Sequence, residues 1–199
     1  MEQELGQEEL RRLTQKEYRK LDIRDDPDYH GYWLAMFSHI LGGLNGKRIL
    51  DIGCGGNYQI FNTYPPRFLR LAKNYGVEAV GFDPTIDPEK EEFEAHKKGV
   101  EELPGLFEAD SFNGVLTTEL WSDPTLTDSG RNLSYVNSLQ NQTYAEAVRI
   151  LKPRGIYINY FTLESMPISR EALRKLGFEI VHYYRGITPR ENLVVVRKP

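Results

Sequence analysis

From residue 47 onward, short apolar segments of the chain alternate with segments of helical character. The apolar segments are rich in β-branched and aromatic residues, which favour buried strands. They are RILDIG (48–53), EAVGFD (78–83), GVLTTEL (114–120) and GIYINYF (155–161). Helices are predicted between them at 67–75 and 144–151. Strands that alternate with helices form βαβ units with parallel strands, so the pattern predicts an α/β domain.

The end of the sequence departs from this alternation. A helix is predicted at 169–176, and two strand-like segments follow it at 178–184 and 192–196, joined by a short turn. Strands joined in this way pair antiparallel, so we expect a mostly parallel sheet with an antiparallel closing strand. Residues 85–103 fit either one helix or a short helix followed by a brief strand that ends near Lys98, and we favour the second interpretation.

Two helix-prone segments precede the alternating region, at 3–21 and at 30–41. In the second, apolar and aromatic residues recur at helical spacing until two glycines end the segment. We expect residues 1–44 to form a small N-terminal helical cap on a domain that spans 45–199. No repeat, linker or low-complexity stretch divides the sequence, so cap and domain should form one compact unit.

The composition argues against several kinds of site and partner. Cys54 is the single cysteine, which excludes an internal disulfide, a cysteine-rich zinc site and a Cys-x-x-Cys pair. The four histidines lack metal-ligand spacing, so no metal is expected. A net charge of −4 disfavours nucleic acid as a partner, because such binding favours a basic patch or stripe. No segment approaches the roughly 18 apolar residues of a membrane span, and the acidic start lacks a signal-peptide pattern, so a cytoplasmic location is expected.

The first predicted strand runs into the glycine-rich segment 51–56, Asp-Ile-Gly-Cys-Gly-Gly. Glycines let the backbone turn sharply and approach a ligand closely, although such a turn also fits an ordinary connection between strand and helix. Tyr58 stands where a nicotinamide or flavin fingerprint requires its last small residue, and no Gly-x-x-x-x-Gly-Lys-Ser/Thr phosphate loop is present. A ligand without phosphates therefore fits this turn better.

At these residues the sequence resembles the class I S-adenosylmethionine-dependent methyltransferases. Four segments resemble motifs of that family, in the same order: LDIGCGG, EAVGFDP, SFNGVLTTEL and YAEAVRILKPRGIYI. The resemblance covers residues 45–199. It implies a Rossmann-like three-layer sandwich whose seven-stranded, mostly parallel sheet has an antiparallel closing strand. It also implies S-adenosylmethionine as the cofactor and methyl transfer as the reaction.

The resemblance implies a set of residues that bind the cofactor. They are Asp51, Gly53, Cys54, Gly55, Asp83, Pro84, Val100, Glu101 and Glu119. In this interpretation, the glycines make room for the methionine part and Asp51 accepts a hydrogen bond from its ammonium group. Asp83, at the end of the second strand, accepts hydrogen bonds from the ribose hydroxyls, although a capping role before Pro84 is the alternative. The Val100 amide and Glu101 contact the adenine.

The residues after the fourth motif are expected to lie near the methyl acceptor. Glu119 and Asp123 are the candidate catalytic residues, as a general base or as ligands of a cationic acceptor, with loop capping as the alternative. The polar segment 122–142 is predicted to be a loop that could cover the acceptor, or a plain solvated loop. Four residues around it are candidates for acceptor contacts: Trp121, Arg131, Tyr135 and Asn137.

A small-molecule acceptor is the preferred hypothesis, because only a helical cap and one loop are added to the core of the family. Methylation of protein or RNA is the nearest variant. A methyltransferase-like binding or scaffold protein without activity is the alternative from another class, and a nicotinamide dehydrogenase is disfavoured by the missing glycine.

Overall fold

The structure, a computed structural model, describes residues 4–23, 30–56, 65–118, 120, 133–161, 168–185 and 192–199. Within these ranges the α-helices are α1 (Gln7–Lys20), α2 (His30–Leu41), α3 (Arg67–Lys73), α4 (Leu133–Ile150) and α5 (Arg170–Lys175). The strands are β1 (Arg48–Ile52), β2 (Glu78–Phe82), β3 (Glu94–His96), β4 (Phe112–Thr118), β5 (Leu151–Phe161), β6 (Glu179–Arg185) and β7 (Asn192–Arg197). Short 3₁₀ turns occupy Pro88–Lys90 and Val100–Glu102.

The strands form one seven-stranded sheet in the order β3-β2-β1-β4-β5-β7-β6. Strands β1 to β5 pair parallel, whereas β7 pairs antiparallel with both β5 and β6. The expected mixed sheet with an antiparallel closing strand is therefore confirmed. The chain leaves β1 in one direction to β2 and later returns to its other side at β4. Ligands of open α/β sheets bind at such a reversal of strand order, in the crevice beyond the carboxyl ends of the strands.

Helices cover both faces of the sheet, which makes the expected three-layer sandwich. Side chains along a strand alternate between the faces. Leu50 and Ile52 of β1 join the core beneath α4 and α5, whereas Ile49 joins the core beneath α1, α2 and α3. Phe37 of α2 and Leu139 of α4 are buried in these two cores. Helix α4 buries an apolar face against the sheet, whereas α2 is buried on all sides over residues 33–38.

Among the elements after residue 47, two boundaries differ by four residues or more from the sequence prediction. Residues 133–142, predicted as part of a loop, belong to α4, since Val136 and Leu139 lie at helical spacing with the buried residues that follow. Their polar neighbours hid this periodicity. Strand β5 begins at Leu151 rather than at Gly155, and a shift of its register with β4 accommodates the extra residues.

Helices α1 and α2 pack against each other, and the residues before α1 reach the edge of the sheet. The Leu5 N–H donates to the carbonyl oxygen of Val181 in β6 at 2.8 Å, and the Leu5 carbonyl lies 2.9 Å from Nδ1 of His182. Glu4 pairs with Arg170 of α5. The division into a cap of residues 1–44 and a domain of 45–199 stays a prediction. Among the described helices, none is long and apolar enough to cross a membrane.

Candidate functional site

The glycine-rich turn lies at the reversal of strand order, directly after β1. Gly53 and Gly55 have φ angles of +76° and +84°, which residues with a side chain adopt at a cost. The Gly53 N–H donates to the Phe82 carbonyl oxygen at 2.7 Å, so the turn is joined to the end of β2. A Cβ atom on Gly56 would lie 2.4 Å from the Thr85 carbonyl oxygen. Glycine at this position lets the turn lie directly against the segment after β2.

Asp83 connects this turn with the segment after β2. Its Oδ2 accepts a hydrogen bond from the Gly55 N–H at 3.0 Å. Its Oδ1 accepts from the Thr85 N–H at 2.7 Å and from the Thr85 hydroxyl at 2.5 Å. Asp83 as a whole is 8% exposed. The capping interaction that the sequence left open is thus present, and it uses three of the about four acceptor positions of a carboxylate.

Asp51 is the second carboxyl group of the site, and its surroundings are different. It is 3% exposed, and no described residue donates a hydrogen bond to its Oδ1. Burial, with a further contribution from the nearby Asp83, raises the pKa of Asp51 to about 8. Burial and both carboxyl groups also raise the pKa of the Cys54 thiol well above its usual range. A cationic group could enter this environment with a buried acceptor already in place.

The segment 99–102 lies farther along the chain, after β3. The side chain of Val100 is buried in the core beneath α4, whereas Glu101 is exposed. Glu102 Oε1 accepts a hydrogen bond from the Gly99 N–H at 3.2 Å, which fixes the start of the 3₁₀ turn. The burial of Val100 and the hydrogen bond to Glu102 therefore fix the backbone of this segment.

The acceptor side of the site is described only in part. Strand β4 ends at Thr118, which is half-buried. The candidate residues Glu119, Trp121, Asp123 and Arg131 lie outside the described residues. Tyr135 lies on α4 with 37% of its surface exposed, and Asn137 is half-buried on the same helix. At the end of β5, the Tyr160 ring packs 5.0 Å from the ring of Trp33 in α2.

A buried polar network beneath this edge was missed by the sequence analysis. The Thr117 hydroxyl donates to Asn159 Oδ1 at 2.7 Å and lies 3.0 Å from the Tyr157 hydroxyl. The Asn159 amide donates to the Tyr144 hydroxyl at 2.8 Å, and all these side chains are fully buried. Burial raises the pKa of both tyrosines. The signal was present as polar residues within apolar strands, but their partners are distant in sequence.

The role of Thr85 was also missed. It follows the recognised Asp83-Pro84 pair by one residue and supplies two of the three hydrogen bonds to that aspartate. An aspartate followed two residues later by threonine is a common turn pattern, which could have indicated the interaction.

No protein-family model matches the sequence, and a search of curated proteins finds no match. Solved structures share the fold at low sequence identity. One is the 1,6-didemethyltoxoflavin-N1-methyltransferase of Burkholderia thailandensis with bound 1,6-didemethyltoxoflavin and S-adenosylhomocysteine; the identity is 16%, 95% of this chain and 86% of that chain are covered, and the TM-score is 0.57.

Two further solved structures show how broadly the fold is used. For a TehB-like S-adenosylmethionine-dependent methyltransferase of Corynebacterium glutamicum, the identity is 14%, the covered shares are 98% of this chain and 100% of that one, and the TM-score is 0.57. For the [4+2]-cyclase SpnF, the identity is 15%, the shares are 88% and 85%, and the TM-score is 0.54. The chain therefore has the fold of the class I S-adenosylmethionine-dependent methyltransferases.

Proposed function

We propose that this protein is an S-adenosylmethionine-dependent methyltransferase that acts on a small-molecule acceptor. The observation that carries the proposal is the Asp51 carboxyl, which is buried beside the glycine-rich turn and has an oxygen without a partner among the described residues. Its chemistry fits the ammonium group of the cofactor's methionine part, which would supply the missing hydrogen bond. The residues present thus fit S-adenosylmethionine, whose demethylated product S-adenosylhomocysteine is bound in the Burkholderia enzyme.

Each part of the cofactor has a proposed partner in the chain. Gly53, Cys54 and Gly55 would line the methionine part, and the backbone amide of Val100 with Glu101 would contact the adenine. Asp83, followed by the rigid Pro84, would accept hydrogen bonds from the ribose hydroxyls. Since Asp83 already accepts three hydrogen bonds within the chain, the ribose would have to share or replace part of them. Glu119 is proposed as a further contact from the end of β4.

When bound, S-adenosylmethionine supplies the methyl group of its sulfonium, and the sulfur is the leaving group, as a neutral thioether. The residues of the chain have to hold donor and acceptor in line and to exclude water. Such positioning contributes about 7–11 kcal/mol to lowering a barrier. Glu119 or Asp123 would accept a proton from an acceptor that is protonated at neutral pH. Trp121, Arg131 and Tyr135 would contact the acceptor.

A small acceptor is supported by the net charge of −4 and by the small-molecule substrate of the Burkholderia neighbour. Protein or RNA would require a recognition surface beyond the crevice. A cytoplasmic location belongs to the same proposal.

A binding protein without methyltransferase activity is the second candidate. The internal hydrogen bonds of Asp83 favour it, because they explain this aspartate without a ribose. The [4+2]-cyclase neighbour also illustrates that the fold serves other reactions.

Calorimetric titration with S-adenosylmethionine and with NAD tests the proposal. We expect saturable binding of S-adenosylmethionine only, weakened at least about tenfold in Asp83→Asn. Thr85→Val is the matched control, because it removes one capping bond and leaves the carboxylate. Binding by Thr85→Val at the wild-type level supports a ribose contact, whereas equal losses in both variants support a capping role alone. Folded wild-type protein that binds no S-adenosylmethionine would overturn the methyltransferase proposal.

A further inference from the structure

The inward face of α4 carries two amide side chains among its apolar residues. Gln140 is 2% exposed, and its Nε2 is buried without a hydrogen-bond partner in the described part of the chain. The Oδ1 of Asn137, three residues earlier, is also buried and unpartnered there. Residues three apart on a helix are neighbours on one face. Buried unsatisfied amides are costly and few in native proteins, so this pair calls for an explanation.

The position of the pair follows from the antiparallel course of α4 and β5. Ile150 ends the helix and Leu151 starts the strand, and Asn159 Nδ2 donates to the Tyr144 hydroxyl at 2.8 Å. Gln140 lies four residues before Tyr144, about 6 Å farther along the helix axis. From Asn159, a similar rise of about 6–7 Å leads to the end of β5. Gln140 is therefore level with the carboxyl end of β5, and Asn137 lies almost one turn beyond it.

The two free atoms differ in their hydrogen-bonding character. Gln140 offers an N–H donor, and Asn137 offers an oxygen acceptor. An anion would be bound by the Gln140 N–H and repelled by the Asn137 oxygen. A cation would be bound by the Asn137 oxygen and repelled by the Gln140 N–H. A ligand with a carbonyl oxygen and an N–H group side by side satisfies both, as in an amide, a lactam or a heteroaromatic ring of that type.

We propose that Asn137 and Gln140 form the hydrogen-bonding subsite for the methyl acceptor, and that the acceptor is an amide-like or lactam-like compound. This inference rests on the proposed methyltransferase function, since it assigns the substrate class of the same crevice. The subsite lies next to β4 and β5, on the side of the strand-order reversal opposite to Asp83.

The test uses 2-pyridone as a probe, because this lactam presents an N–H beside its carbonyl. N-methyl-2-pyridone lacks the N–H and is the matched probe. Binding is followed through the side-chain amide signals of ¹⁵N-labelled full-length protein, in the presence of S-adenosylhomocysteine. Gln140→Met keeps the volume and removes the amide. Gln142→Met is the control, since Gln142 is a half-buried glutamine on the same helix.

We expect a saturable shift of the Gln140 amide signal with 2-pyridone and affinity at least about tenfold weaker for N-methyl-2-pyridone. Gln140→Met should lose binding by about the same factor, and Gln142→Met should retain it. Gln140→Met should also raise the unfolding temperature, because it replaces an unsatisfied buried amide by an apolar group.

Two results would overturn the subsite: no saturable shift, as expected if the two amides bond each other, or a lower unfolding temperature of Gln140→Met. The calorimetric titration with S-adenosylmethionine is read separately. Binding of S-adenosylmethionine without binding of 2-pyridone would overturn only the proposed subsite. If S-adenosylmethionine does not bind, the proposed methyltransferase function is overturned, whether or not 2-pyridone binds.

Discussion

At the ends of β1 and β2, two neighbouring carboxyl groups differ in the hydrogen bonds that they receive. Asp83 accepts from Gly55 and from the amide and hydroxyl of Thr85. Asp51 has no described donor to its Oδ1 and is almost fully buried. Hydrogen bonds stabilise a carboxylate, whereas burial favours the neutral acid. Burial, with a further contribution from the nearby Asp83, therefore raises the pKa of Asp51 to about 8, and Asp51 carries a proton at neutral pH.

The protonation of Asp51 predicts that stability falls as pH rises through the neutral range. Its pKa is about 8 in the folded protein, and about 3.9 is expected in the unfolded chain. Between these values the folded state binds more protons, so the free energy of unfolding decreases with pH, by at most about 1.4 kcal/mol per pH unit. Asp51→Asn should remove this contribution. Urea unfolding of the wild type and the variant at pH 5 and pH 8 measures the difference.

Asp87 provides the control for this experiment, because its hydrogen bond with Lys90 lowers its pKa and it stays ionised between pH 5 and pH 8. Asp87→Asn should therefore keep the pH dependence of the wild type. Equal slopes in the wild type and in Asp51→Asn would show that Asp51 is ionised throughout this range.

The same carboxyl group predicts proton release when the cofactor binds. A cationic ammonium beside Asp51 favours its ionised form, so at pH 7 the binding of S-adenosylmethionine should expel a proton. Calorimetry in buffers of different ionisation enthalpy measures the number released. We expect a release in the wild type that is smaller by nearly one proton in Asp51→Asn. The absence of a difference between the two proteins would contradict the proposed contact.

At the scale of elements, the buried network of Thr117, Tyr157, Asn159 and Tyr144 joins β4, β5 and α4. Two of its contacts join β4 to β5, and the third joins β5 to α4. The network lies just below the ends of the strands that border the acceptor side. It therefore fixes the spacing of these elements where the proposed subsite needs it.

Thr117→Val should destabilise the protein, because it leaves the Asn159 oxygen without its donor in a fully buried position. A loss of about 1–3 kcal/mol in the free energy of unfolding is expected. Thr143→Val is the control, since that hydroxyl donates only to the Leu139 carbonyl within α4. We expect a loss well below that of Thr117→Val in the same urea unfolding experiment. Equal losses would show that the network contributes little beyond packing.

At the scale of the whole molecule, the order of elements could be predicted from the sequence, because the spacing of apolar residues and the turn-forming residues between segments indicated the same elements. The strands other than β3 were predicted from their apolar runs, and the antiparallel closing pair from the few residues between its two strands. The start of α4 was missed, since Asn137, Gln140 and Thr143 are polar residues on a buried face. A prediction from periodicity assumes that buried positions are apolar. The buried face of α4 carries polar residues, so this assumption fails there.

The positions of several candidate site residues were predictable to a similar degree, and their roles stay predictions. The turn after β1 and the carboxyl groups of Asp51 and Asp83 follow from strand ends, which a sequence displays. The internal partners of Asp83 and the network around Asn159 depend on which distant residues meet, and only the folded chain determines that. For Glu119, Trp121, Asp123 and Arg131 the position also stays a prediction, because they lie outside the described residues.

The reversal of strand order has a consequence for how this protein could change over time. The proposed cofactor contacts come mainly from residues 51–101, before β4, whereas the proposed acceptor contacts come from residues after β4 begins. The two recognition tasks are thus encoded in successive stretches of the gene. Substitutions in the second stretch could alter acceptor preference while the first is left untouched. New acceptor specificities could thus arise while the cofactor-binding stretch stays unchanged.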